Sequence, residues 1–168
     1  MKVNIRREQP SDFEAIKTLY IKAFSRDDEA KLIDRLRREK EYLPTLSLVA
    51  EYDKSIVGHI MHSSISVGDY SKGLAALAPM AVLPEFQNKS IGSQLVEKAI
   101  KEAIKEGLSA IVVLGHPKFY PKFGFKKASD YGIICPYEGV PDEAFMVLEL
   151  SKEALMGISG TVTYSKAF

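Results

Sequence analysis

The sequence predicts one domain of mixed α/β class, with helices packed on both faces of a mixed sheet. Three observations lead there. Ala110–Leu114, AIVVL, is a continuous apolar run rich in β-branched residues, of the kind carried by a strand buried on both faces. Ahead of it, Ile91, Leu95, Val96, Ala99, Ala103 and Ile104 recur at helical spacing, and Gly107 stands where that helix would stop. Ahead of the helix, an apolar run, LAPMAVLP, leads into EFQNKSIGS, a polar turn of small residues. Strand, helix and strand in the centre, with antiparallel pairs outside, make a sheet covered by helices.

The elements follow in order. Val3–Arg7 alternates apolar and polar as a first strand would. Ser11-Asp12-Phe13-Glu14 has capping-box spacing, and Ile16, Leu19, Tyr20 and Ala23 share one face of the helix it would start. A second helix is expected over Asp28–Arg38, with Asp27 and Asp28 at its positive end and Arg35, Arg37 and Arg38 at its negative end. Leu46–Tyr52 and Ile56–Val67 read as strands joined by a hairpin turn at Asp53-Lys54-Ser55. The central strand is expected at Ala75–Leu83, the long helix at Ile91–Glu106, and a short helix around Phe119–Phe123. Strands near Gly132–Cys135 and Ala144–Leu150 complete the sheet. The tail, GISGTVTYSKAF, holds one strand at Thr161–Tyr164, expected to cap the sheet edge or to pair with a second subunit in a homodimer. No repeat, low-complexity segment or linker is present.

Charge narrows the partners. Lys and Arg number 23 against 22 Asp and Glu, so a net charge of +1 argues for neither nucleic acid nor an anionic membrane. No apolar run approaches the ~18 residues of a membrane span, and no apolar stretch follows the charges of MKVNIRREQ as in a signal peptide. A cytoplasmic protein is expected. The single cysteine, Cys135, excludes an internal disulfide and fits a reducing compartment.

A strand, a short polar turn and a helix N-terminus bind phosphate, because unpaired amides and the helix dipole both favour an anion. Gln87–Gly92, Q-N-K-S-I-G, falls at that point. A P-loop would need a Lys-Ser/Thr pair after a second glycine, and a dinucleotide fingerprint would need three glycines near the first strand. Neither is here. The segment resembles the acetyl-CoA loop of the GNAT superfamily of N-acetyltransferases, Arg/Gln-x-x-Gly-x-Gly/Ala, with Gln87 first, Ser90 for the first glycine and Gly92 last. Met80-Ala81-Val82 resembles the end of that family's central strand, which lies along the pantetheine arm. Phe119–Phe125, F-Y-P-K-F-G-F, resembles its second signature, a Tyr ahead of a Gly-Phe pair. LGHPKFYPKFGF followed by CPYEGVPDEAFMVLEL resembles the YhbS-like group of bacterial acetyltransferases within the superfamily.

The resemblance implies the GNAT fold, a mostly antiparallel central sheet of about seven strands with helices on both faces. It implies an N-acetyltransferase domain over residues 1–151, with 152–168 a C-terminal tail. Acetyl-CoA is then the cosubstrate, with no metal, and the acceptor a small-molecule or peptide amine. The amides of Gln87, Asn88, Lys89, Ser90, Ile91, Gly92 and Ser93 would hold the pyrophosphate. Backbone groups of Met80 and Val82 would pair with pantetheine like an added strand, the N–H near Met80 or Ala81 would face the thioester carbonyl, and Tyr120 and Phe123 would pack beside it. Two positions depart from the pattern. Asn88 replaces a frequent glycine but tolerates a left-handed backbone. A Cβ at Ser90 costs ~0.5 to 1 kcal/mol if φ is positive, although its hydroxyl can donate to a phosphate. A loop reduced to capping the helix is the plainer alternative.

Acetyl transfer to an amine needs the donor held, the amine deprotonated, the oxyanion stabilised and the leaving thiolate protonated. Tyr120 is the expected general acid, since a phenol of pKa about 10 can neutralise a thiolate whose conjugate acid lies near 8.5. The competing reading packs it among Phe119, Phe123 and Phe125. His116, next to the AIVVLG strand end where α/β sites open, is the expected base. The alternatives are a loop His bonded to backbone and a carboxylate, Glu29, Glu85 or Glu143, acting through water. His59 and His62 have H-x-x-H spacing, but residues three apart on a strand point to opposite faces and share no metal. Cys135 lacks a local partner for nucleophilic catalysis and reads as a buried thiol. Lys118, Lys122, Lys126 and Lys127 either meet the 3′-phosphate or form a solvated face.

Two function classes compete: a CoA-dependent N-acetyltransferase acting by direct attack in a ternary complex, and an acetyl-CoA-binding sensor that lost the acceptor site. An interaction domain without ligand would not need the Gln87–Gly92 loop. Asp27, Asp28, Glu29, Glu138, Asp142 and Glu143 fall in segments that flank the acceptor in this family, and they point to a cationic amine.

Overall fold

A computed structural model describes residues Met1–Phe168. In chain order the elements are β1 (Asn4–Arg7), α1 (Phe13–Phe24), α2 (Asp28–Leu36), β2 (Leu48–Tyr52), β3 (Ser55–Ser64), β4 (Ser66–Val67), β5 (Leu74–Val82), α3 (Ile91–Lys105), β6 (Ala110–Leu114), β7 (Lys126–Lys127), β8 (Ile133–Ile134), β9 (Phe145–Glu149) and β10 (Gly160–Thr163). Seven strands form one sheet in the order β1-β2-β3-β5-β6-β9-β7. Only β5 and β6 run parallel within it, joined by α3 as a crossover. The sheet is therefore mixed and mostly antiparallel, as expected.

Helices cover both faces. Against α3 pack Leu48, Ala50, Val57, Ile60 and Val113, with Ile91, Leu95 and Val96 from the helix itself. The opposite face buries Val49, Met61 and Ala81 under Ile16, Leu19 and Tyr20 of α1 and Ile33 and Leu36 of α2. The hairpin turn between β2 and β3 comes down to Asp53 and Lys54, both at positive φ (48° and 63°), the twist a two-residue connection requires.

Several boundaries differ from expectation, each for a physical reason. Ser11 caps nothing. Pro10 opens a 3₁₀ turn, and Asp12 accepts from the Gln9 N–H at 2.8 Å while clasping Arg6 at 2.7 and 2.9 Å. Helix α2 ends at Leu36, because after Arg37 the bonding tightens from i−4 to i−3, Arg38 N–H donating to Arg35 at 3.1 Å and Glu39 N–H to Leu36 at 3.0 Å. The expected strand Ile56–Val67 breaks after Ser64, and Ser66–Val67 joins a second, three-stranded sheet, β4-β10-β8. The strand near Gly132–Cys135 belongs to that small sheet, not the large one. The C-terminal strand is neither an edge of the large sheet nor reserved for a second subunit. It is the middle strand of the small sheet, antiparallel to β4 and parallel to β8. Leu155, Ile158 and Val162 are buried with Ile65, Val67, Val112, Phe145 and Val147.

A buried polar chain ties α1 and α2 to the sheet. Glu8, just past β1, accepts two bonds from Arg37, Nε to Oε1 at 3.1 Å and Nη2 to Oε2 at 2.9 Å. The Tyr42 hydroxyl donates to Oε1 at 2.5 Å, and His59 Nε2 to Oε2 at 2.8 Å. The remaining imidazole nitrogen, Nδ1, accepts from the Tyr20 hydroxyl at 2.9 Å. Burial alone would raise the Glu8 carboxyl, but the bonds from His59, Arg37 and Tyr42 outweigh it and hold it at about 2. Burial also lowers His59, against the opposing pull of Glu8.

Candidate active site

The strands β5 and β6 pair only from Leu74↔Ala110 to Leu77↔Val113. Beyond that point they part, and β5 continues with β3 alone, Met80 opposite Ile60, Ala81 opposite His59 and Val82 opposite Gly58. Leu83 donates its N–H to Val57 at 2.9 Å, so by strand alternation Ala81 also faces β3 while the peptide groups of Met80 and Val82 face the gap. The Val82 carbonyl accepts from Gln87 Nε2 at 3.0 Å, which ties the polar turn to the strand end.

The turn then enters α3 through two left-handed residues, Asn88 (φ 61°) and Ser90 (φ 64°). Ser90 is the residue before the helix and makes no side-chain capping bond. The first amides of α3 consequently point outward with no cap across them, the arrangement of an anion site. Gly92 lies in the first turn at the floor of the gap. A Cβ there would meet Phe119 Cζ at 3.7 Å and Met80 Cε at 3.9 Å, ordinary contact distances, so anything longer would project into the open space.

These parts border one cleft of about 620 Å³. The structure brings together Met80, Ala81, Val82, Gln87, Asn88, Ser90, Ile91, Gly92, Ser93, His116 and Tyr120 along it. Two residues chosen from the sequence lie off it. Phe123 packs on Phe119 with ring centroids 5.2 Å apart, and Lys89 turns back so that Nζ stands 5.4 Å over the Phe86 ring.

Tyr120 opens a 3₁₀ turn and is buried, edge-on to Phe119 at 4.9 Å and Phe125 at 5.6 Å. Burial pushes its phenol up to about 12, so it carries its proton throughout the physiological range. The ring lies hard against Gly115, where a Cβ would stand only 2.4 Å from Cε2. His116 follows on the exposed rim, its carbonyl accepting from the Phe119 N–H at 3.1 Å.

The carboxylates weighed as alternatives do not border the cleft. Glu29 is held by Arg26, Asp27 by Lys31 at 3.0 Å, and Asp142 lies 3.7 Å from Lys127. Of the four lysines in the basic run only Lys122 lines the cleft, over the Phe119 ring at 4.3 Å. His59 and His62 hold separate partners, Glu8 and Tyr20 for the first and the Leu46 carbonyl for the second.

Sequence reasoning missed Ala23, Phe24 and Phe86 on the lining and Gly115 beneath Tyr120, and it named Phe119 only as a packing partner of Tyr120. An apolar residue at the very end of an amphipathic helix was the one signal available for Phe24. Nothing local marks Gly115.

The family model described as Acetyltransferase (GNAT) family matches residues 13–125. The chain is 34% identical over 165 residues to the uncharacterised N-acetyltransferase YhbS of Escherichia coli K12, covering 98% of this chain and 97% of that protein. A crystal structure of YhbS from Escherichia coli in complex with CoA superposes with a TM-score of 0.94 at 31% identity, over 100% of this chain and 92% of that one. A GNAT family acetyltransferase from Brucella melitensis in complex with acetyl-CoA gives a TM-score of 0.81 at 30% identity, over 99% and 98% of the two chains. By sequence and by fold, the chain belongs to the GNAT family of N-acetyltransferases, alongside YhbS.

Proposed function

We propose that this protein moves the acetyl group of acetyl-CoA to a primary amine by direct attack in a ternary complex. The observation that carries the reading is the parting of β5 from β6 beside an uncapped helix start, because it leaves strand-edge peptide groups and helix amides open to a single cleft. Residues fit the donor. The amides from Gln87 to Ser93 suit a pyrophosphate, and the open edge at Met80 and Val82 suits a pantetheine arm added as a short strand. The Met80 N–H, which faces the gap, is placed to stabilise negative charge on the thioester oxygen.

In the transfer, a C–N bond forms to the acetyl carbon and the C–S bond breaks. The amine proton passes to His116 or through water, and the thiolate takes a proton from the Tyr120 hydroxyl. A phenol at about 12 is a weak acid in the free protein. A thiolate formed in the same buried surroundings is raised as well, which narrows the gap between the two. A sensor without turnover would have no use for a phenol and an imidazole bordering the same cleft. Both lone Cys135 and acetyl-CoA as donor support a cytoplasmic location. No helix is long and apolar enough to cross a membrane.

Titration calorimetry with acetyl-CoA tests the reading. Micromolar binding is expected for the native chain, with a loss of about 100-fold or more for Gly92→Val, whose branches would fill the space beside the helix amides. Native affinity in that variant would remove the donor from this cleft.

A further inference from the structure

The cleft has a second wall that the donor does not need. Ala23 and Phe24, from the last turn of α1, line it together with Ala81; Ala23 and Ala81 pack in the α1 and α2 layer, and the exposed Phe24 stacks on Tyr20 of that layer. Gln87–Ser93 and the start of α3 belong to the other face. A donor anchored at α3 with its arm along β5 therefore presents its reactive end toward α1, and the room left for an acceptor is bounded by Phe24.

Two properties of that wall bear on the acceptor. It carries no carboxylate: the titratable side chains on the cleft are His116, Tyr120 and Lys122, and Asp27, Glu29 and Asp142 are engaged elsewhere. A polycation would meet a lysine and no anion. The wall is also held at a fixed angle. The Phe24 ring lies parallel to Tyr20, 6.0 Å between centroids and 6° between planes. Tyr20 is itself pinned through its hydroxyl to His59 and so to Glu8, at 2.9 and 2.8 Å. Both imidazole nitrogens and both carboxylate oxygens are occupied, so the chain of bonds has one arrangement. Well-packed apolar residues would hold α1 as firmly as a buried ion pair does. What a directional chain adds is the orientation of one ring.

We propose that Tyr20 is a positioning residue which, through the Glu8–His59–Tyr20 chain, fixes Phe24 as the surface that receives the acceptor's carbon body. The preferred acceptors are then primary amines bearing an aryl or branched alkyl group, and polyamines are poor. The proposal rests on the acetyltransferase reading above.

The test uses the full chain, acetyl-CoA, and two probe amines, 2-phenylethylamine and spermidine, with CoA release as the readout. The aryl amine should exceed spermidine in kcat/KM by about 10-fold or more, the discrimination an apolar pocket can supply. Phe24→Ala should raise KM for phenylethylamine by about 10-fold while kcat and acetyl-CoA affinity stay within about twofold. Tyr20→Phe keeps the stacked ring and loses only the hydroxyl, and it should raise the same KM without changing acetyl-CoA affinity. A purely structural role would lower the melting temperature without that split. A preference for spermidine, turnover of neither amine by a chain that binds acetyl-CoA, or an unchanged KM in Phe24→Ala would each overturn the proposal. Phe24 ends its helix at the surface, so that variant decides the acceptor wall; an unchanged KM in Tyr20→Phe, or in Glu8→Gln should Tyr20→Phe fail to fold, would overturn the positioning role. Absence of acetyl-CoA binding by the native chain would instead overturn the acetyltransferase reading.

Discussion

Replacing Gly115 by alanine measures how closely Tyr120 must be held. The new Cβ would lie 2.4 Å from Tyr120 Cε2, 3.1 Å from Cδ2 and 3.4 Å from Cζ. Non-bonded carbons settle at about 3.5 Å, so the ring has to retreat by about 1 Å. It has little freedom to do so, with Phe119 and Phe125 edge-on at 4.9 and 5.6 Å. Overpacking a closed aromatic cluster costs about 1 to 3 kcal/mol, which lowers the melting temperature by several degrees in a chain of this size. Turnover should suffer more, because a misplacement of about 1 Å at the reacting group costs on the order of 10²-fold. The assay is CoA release at saturating acetyl-CoA, with calorimetric affinity and a thermal melt on the same preparation. A drop in kcat of about 10²-fold with acetyl-CoA affinity within about twofold is expected. A lowered melt with full kcat would show that turnover does not depend on where the hydroxyl sits. An unchanged melt and kcat would refute the tight packing itself.

Other perturbations separate the roles. Tyr120→Phe keeps the ring, so a loss of about 10²-fold in kcat at unchanged KM for acetyl-CoA marks a general acid, and near-native kcat marks a packing residue. Ser90→Gly relieves a left-handed φ of 64°. It should stabilise the protein by about 0.5 to 1 kcal/mol in a thermal melt, and a loss of acetyl-CoA affinity instead would identify the hydroxyl as a ligand. Glu8 is protonated near its ordinary 4.5 when unfolded and only near 2 when folded. Its contribution is full above pH 4.5 and lost as pH falls toward 2, about 3 kcal/mol in all. In urea titrations the stability gap between native and Glu8→Gln should therefore close across that interval. A gap independent of pH would mean that Glu8 is not ionised in the fold.

What could be read from the sequence was what is encoded by neighbours in the chain. Ala110–Val113 announces its burial in its own residues, although Leu114 at the end of the same run is exposed, and the Ile91–Lys105 stripe announces a helix with one covered face. The shape of the Gln87–Gly92 turn was legible because it is local: Asn88 and Ser90, standing where glycine is frequent, take positive φ. What escaped depends on partners far apart in sequence. Glu8 looks like one charge among several until Arg37, Tyr42 and His59 close on it. Gly115 is demanded by a ring that folds back over it. Lys126–Lys127 is a strand only because β9 offers it an edge. The acidic residues near α2 and the 138–143 segment suggested a cationic acceptor, but where the structure shows their partners, these are the protein's own bases: Lys31, Arg26 and Lys127.

The place of β10 has a consequence for how the molecule is made. On the ribosome β4 emerges first and β8 later, and neither has a ladder partner until residues 160–163 follow. A nascent chain can thus assemble every strand of the large sheet while Val67, Val112, Phe145 and Val147 still wait for Leu155, Ile158 and Val162 to cover them. For that interval the protein shows water an apolar floor and two short open edges, the condition that invites wrong partners. A strand made after both of its neighbours is the one that seals this end of the molecule.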